Sequence, residues 1–247
     1  MESPDEKEKP SDEESAAGGG AAAAPSGQPV TLVTGAAGEL GRELVERLLA
    51  AGHDCVALDR NRRGLERLHD RLAKTGSAPL GVPLDLAGAG PDHYAELAAH
   101  IEDSFGRLDG IIHAAAEFKA LRPLDHTPPD EWMQVLQAGI TGPYLLTVSL
   151  LPLMRATPGS RVLWVQDAPR QRRNAHWGAY GVAQAGADAL ADILAAETAS
   201  RGPAVDRIDP GPFYSPLRSR AWPAEEPGEL PSAADAAGKV LARYLGG

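Results

Sequence analysis

Between positions 30 and 245 short apolar runs alternate with longer amphipathic stretches, a pattern that predicts strands alternating with helices. Strands are expected at 30–34, 54–58, 79–84, 108–114, 161–165 and 204–208. The intervening helices are expected at 39–51, 61–74, 92–105, 130–155 and 179–200, with a last one at 233–245. The first carries Leu40, Leu44, Leu48 and Leu49 on one face, and the second turns Leu65, Leu68 and Leu72 inward. The fourth is expected to bend near Gly142-Pro143, because proline removes a helical donor. Such alternation with short links implies a parallel sheet covered on both faces. A sheet of this kind binds ligands beyond the carboxyl ends of its strands, at the switch in strand order. The ends here are Gly35, Asp59, Asp85, Ala114, Asp167 and Pro210, and they should line one crevice.

Composition adjusts this picture at the amino terminus. Residues 1–28 hold seven acidic and two basic side chains, then a Gly/Ala-rich run, and are expected to form a disordered tail ahead of one domain over 29–247. Half of the net charge of −10 lies there, and the acidic balance argues against a nucleic-acid partner. The single cysteine, Cys55, falls in an apolar strand, which predicts a buried thiol and a reducing compartment. The acidic amino terminus has no apolar core of a secretory signal, and no apolar run suggests a membrane span, so a soluble cytoplasmic protein is expected. The histidines show no metal-ligand spacing, and no metal is expected.

Gly35, Gly38 and Gly41, with Leu40 among them, stand between the first strand and the first helix. Glycine there permits a tight turn and close approach of backbone to a pyrophosphate, while the helix amino terminus supplies free N–H groups. Asp59 lies 18 residues beyond Gly41, where a carboxylate would accept from a ribose 2′-hydroxyl and repel a 2′-phosphate. This favours NAD over NADP, although Arg60 beside it could turn toward a phosphate. Glu39 places a negative charge in the helix's first turn, close to the expected pyrophosphate.

Over about residues 29–245 the chain resembles the short-chain dehydrogenase/reductase family. The resemblance is carried by Thr34-Gly35-Ala36-Ala37-Gly38-Glu39-Leu40-Gly41, Asp59, Asp85-Leu86, the segment 108–116, Trp177-Gly178-Ala179-Tyr180 and Asp209-Pro210-Gly211. It implies a Rossmann-type doubly wound α/β fold with strand order 3-2-1-4-5-6. It also implies Asp85 and Leu86 near an adenine, Ala115 along the cofactor, Pro210 and Gly211 beside a nicotinamide, and a substrate lid from 212 to about 230. The last strand of many members has no counterpart after 247, so the strand at 204–208 is expected at a sheet edge. The helices at 131–155 and 180–200 correspond to the family's dimer interface, which implies a homodimer or a heteromer with a relative.

The departures fall on the chemistry. The family's catalytic asparagine aligns with Gly139, its serine with Asp167 and its lysine with Gln184, so that only Tyr180 remains of four. Tyrosine ionises near pH ~10, and the lysine ammonium ordinarily lowers that value. Gln184 supplies no such field, and an ionised Asp167 would oppose loss of the Tyr180 proton. Removing a charge and a donor should slow the usual reaction by several powers of ten, by analogy with roughly 10²–10⁴-fold for acid–base groups. Three expectations stay open. One is a weak or specialised NAD-dependent oxidoreductase acting on a carbonyl or alcohol, with Tyr180 as proton donor helped by Asp167. The second is a non-catalytic nucleotide-binding or scaffold protein. The third is a lyase or isomerase with Asp167 as general base and Tyr180 as electrophile.

Overall fold

The computed structural model describes residues 27–168 and 173–246. The expected tail lies outside the described residues apart from Gly27 and Gln28, as do Arg170, Gln171 and Arg172 of a basic stretch that ends at the exposed Arg173. Six parallel strands form one sheet: β1 (Val30–Thr34), β2 (Asp54–Asp59), β3 (Leu80–Pro83), β4 (Gly110–His113), β5 (Arg161–Val165) and β6 (Ala204–Ile208). Their order is β3-β2-β1-β4-β5-β6, as the resemblance implied. The direction of winding reverses between β1 and β4, which places the crevice above the carboxyl ends of these two strands.

Side chains alternate across the sheet as the two-residue strand period requires. Val30, Leu32, Val56, Leu58 and Ile111 face one core with helices α3 (Pro91–Phe105), α5 (Gly142–Ala156) and α6 (Gly178–Thr198). Val33, Cys55, Ala57 and Ile112 face a second core with α1 (Glu39–Ala50), α2 (Arg62–Ala73) and α8 (Ala233–Leu245). Both faces are therefore sealed, at about 1.5–3 kcal/mol for each fully buried large apolar side chain. Burial drives the Cys55 thiol well above its usual value, so it is a core side chain and not a nucleophile. Among the described residues β6 is an edge of the sheet, pairing with β5 alone.

The long fourth helix contains an irregularity where one was expected. After α4 (Pro129–Leu136) the chain widens into a π turn over Gln137–Thr141 before α5 begins. Pro143 has no N–H for the carbonyl four residues earlier and its ring crowds that carbonyl, and a widened turn relieves both. One expectation needs correction. The stretch Pro129–Ala156 is long and apolar enough to cross a membrane by length and composition. In this fold its apolarity serves the core, where Leu146, Leu150, Leu151 and Met154 are buried against the sheet. A short helix, α7 (Pro216–Ala221), lies in the expected lid.

Candidate active site

The turn after β1 is built on two contacts that leave no room for side chains. Gly35 has φ +70°, and a Cβ there would lie 2.9 Å from the Ala115 backbone. A Cβ on Gly41 would lie 2.1 Å from the Gly35 carbonyl oxygen, so α1 packs directly on the turn. Thr34, a residue whose role the sequence did not disclose, ties β1 to β4: its buried hydroxyl accepts from Ala114 N and Ala115 N, each at 3.1 Å. No side chain caps the amino terminus of α1. Its N–H groups and positive dipole therefore open onto the crevice, as an anionic pyrophosphate requires. Glu39 is drawn aside to Arg42 at 2.6 Å.

A crevice of about 480 Å³ lies above this turn. It is lined by Gly35, Gly38, Leu40, Gly41, Asp59, Arg60, Asp85, Leu86, Ala115, Pro210 and Gly211, with Asp167, Tyr180 and Gln184. Asp85 shapes its own turn, one carboxylate oxygen accepting from Ala87 N at 3.0 Å. Lys239 of α8 donates to the Pro210 carbonyl at 2.9 Å and so fixes the loop that carries Gly211. The residues present fit a dinucleotide by volume, by the uncapped helix and by the glycines that a Cβ would block.

Asp59 does not present a free carboxylate. Its Oδ2 accepts from Ala37 N at 3.0 Å and its Oδ1 from Asn61 N at 2.8 Å, so both oxygens brace turns of the crevice wall. Arg60 reaches the other way, to Glu117 Oε2 at 2.6 Å. Glu117 is buried, and its Oε1 is held by Lys119 at 2.9 Å.

At the inner end the Tyr180 hydroxyl donates to Asp167 Oδ2 at 2.7 Å. Gln184 turns its amide oxygen onto Asp167 N at 3.2 Å, from a helix position that faces the end of β5. Gly139 lies in the π turn, where a Cβ would come within 2.8 Å of the Ala183 Cβ. His113 does not reach the chemistry. Its Nε2 pairs with Thr147 Oγ1 at 2.9 Å, its ring stacks on Trp164, and burial depresses its pKa to about 3. The wall beside Tyr180 is aromatic: Phe118 meets its ring edge-on at 5.5 Å and Trp177 lies 5.5 Å away. Trp222 of the lid closes on Trp177 at 5.1 Å, with the Arg218 guanidinium over its face at 3.8 Å. Trp177 packs in this cluster, and its joining of the lid to the tyrosine was not legible in the sequence.

The chain matches the short chain dehydrogenase family over residues 29–226. It belongs to that family. The protein described as uncharacterized oxidoreductase YciK of Escherichia coli (strain K12) is 32% identical over 218 residues, which are 87% of this chain and 84% of that protein. A short chain dehydrogenase from Shigella flexneri 2a str. 301, crystallised in complex with NADP, superposes with a TM-score of 0.83 at 28% identity, covering 87% of this chain and 90% of its own. Another from Escherichia coli CFT073, in complex with NADPH, gives 0.82 at 28% identity, covering 87% and 89%. These two complexes overturn the expected preference for NAD over NADP. The physical reason for the misreading lies in Asp59, whose two oxygens are already engaged by backbone N–H groups.

Proposed function

We propose that this chain is an NADP(H)-dependent oxidoreductase of a small carbonyl or alcohol, in which Tyr180 and Asp167 act together as the proton-handling pair. The observation that carries this reading is the 2.7 Å bond between them at the inner end of a crevice built for a dinucleotide. NADP(H) is favoured by the two complexes of similar proteins and by the guanidinium of Arg60 beside the engaged Asp59. Gly35 to Gly41 and the α1 amino terminus would hold the pyrophosphate, Asp85 and Leu86 the adenine, and Pro210 and Gly211 the nicotinamide, which when bound supplies or accepts hydride.

The chain's own part is the proton. With Asp167 ionised, the Tyr180 hydroxyl keeps its proton on the carboxylate, and releasing it to a substrate oxygen would set two negative charges side by side. With Asp167 protonated the pair holds one proton more, and transfer from Tyr180 leaves a single shared charge. The charge of Asp167 therefore opposes reduction, and removing it should speed the proton transfer. Gln184 positions Asp167 through its backbone N–H and contributes no charge, so turnover is expected to be slow.

The deciding measurement follows NADPH oxidation against a panel of aldehydes and ketones between pH 5 and 9. Turnover that is lost in Tyr180→Phe and gains at pH 8 in Asp167→Ser supports this reading. A non-catalytic nucleotide-binding protein is the second reading, favoured by the way Tyr180, Asp167 and Gln184 satisfy one another. It is the outcome if NADPH binds and no carbonyl is turned over at any pH. For partners, we read the exposed Tyr144, Val148, Val182 and Ile193 on α5 and α6 as the face of a homodimer.

A further inference from the structure

We propose that the Arg60–Glu117 ion pair is a latch across the nucleotide crevice, opened by the 2′-phosphate of NADP(H). The inference rests on the reading of the crevice as an NADP(H) site. Arg60 immediately follows β2 and Glu117 lies four residues beyond β4, while β1 runs between these strands. Two strand spacings, roughly 10 Å, separate the ends of β2 and β4. The 2.6 Å contact between Arg60 and Glu117 therefore passes over the end of β1 at the switch in strand order, with both residues lining the crevice. A dinucleotide laid along the glycine turn must displace it.

The two partners are unequal. The Glu117 side chain is 6% exposed, whereas that of Arg60 is 51% exposed. Arg60 is thus the arm that swings, and Glu117 the fixed catch. Opening does not strand a bare buried carboxylate, because Glu117 keeps Lys119 on its other oxygen at 2.9 Å. Arg60, once released, needs a new anion. The 2′-phosphate offers one with geometry suited to a guanidinium, and the neutral 2′-hydroxyl of NAD(H) does not. Both cofactors must open the latch, and only the phosphorylated one compensates for it. The cost of opening is common to both cofactors and weakens each alike, so discrimination resides in the contact that the released Arg60 makes to the phosphate.

Fluorescence titration of the full chain with NADH and NADPH tests this at two positions. In Arg60→Gln, a change at a half-exposed side chain, NADH should bind about fivefold tighter because its obstacle is gone. NADPH should bind about tenfold weaker in the same variant because its phosphate loses the guanidinium. Glu117→Gln should tighten both, by about fivefold each. Unchanged or weaker NADH binding in Arg60→Gln overturns the latch and leaves Arg60 as at most a phosphate ligand. Tighter NADH with undiminished NADPH overturns the exchange of anions. If the folded wild type and both variants bind neither nucleotide, the cofactor reading itself fails and the latch with it.

Discussion

The hydroxyl of Thr34 accepts from two backbone N–H groups and so ties the end of β1 to the segment that follows β4. Valine has its shape without the oxygen. Thr34→Val should strand both donors and destabilise the protein by about 1–3 kcal/mol per unpaired group, read as a shift of the urea midpoint at constant slope. His113 sets a different dependence. Its folded-state pKa is depressed to about 3 by burial. Above the ordinary histidine value of about 6.5 neither state binds a proton at this ring, and it adds no pH dependence. Between that value and about 3 the unfolded chain takes up a proton that the folded one refuses. Stability should then fall with pH by up to about 1.4 kcal/mol per unit from this residue alone. His113→Phe, which keeps a ring on Trp164, should flatten that slope in denaturation curves taken from pH 7 to 4.

Among the elements, the glycine turn and α1 form the least tolerant junction. A Cβ on Gly41 would meet the Gly35 oxygen at 2.1 Å, and that oxygen belongs to turn backbone that cannot yield independently of α1. Gly41→Ala should lose at least about 1–3 kcal/mol of stability together with NADPH binding, measured by thermal melts with and without the nucleotide. This junction was legible in the sequence, because three glycines between a strand run and an amphipathic helix have few other uses. The strands were legible for the same kind of reason: Val30, Leu32 and Val33 must be buried on two faces, and only a covered parallel sheet does that. What stayed hidden depends on pairs distant in the chain. Nothing near Glu117 announces that it will be buried against Arg60, 57 positions earlier. Asp59 misled for a related reason: its residue type suggested a ribose ligand, while its bonds to Ala37 and Asn61 depend on how two turns fold back. The Tyr180–Asp167 pair lay between these cases, since the sequence put both at the site and the structure supplied the contact.

For the molecule as a whole, two helices that pack into the core also carry large apolar side chains outward. Val182 and Ile193 of α6 are 46% and 56% exposed, with Tyr144 and Val148 of α5 at 45% each. If they meet a second copy, sedimentation should show a dimer of the 247-residue chain, and Val182→Glu with Ile193→Glu should convert it to monomer. The charge of −10 is expected to slow that association at low salt and to matter less as ions screen it.

The contact between Gly139 and Ala183 limits how this site can be altered. The π turn lies against α6 so closely that even one carbon on residue 139 would meet the Ala183 Cβ at 2.8 Å. Any side chain introduced at position 139 would thus enter a structure that has no place for it until α6 moved. What position 139 can carry is thus decided across the crevice wall at residue 183, a position with no chemistry of its own.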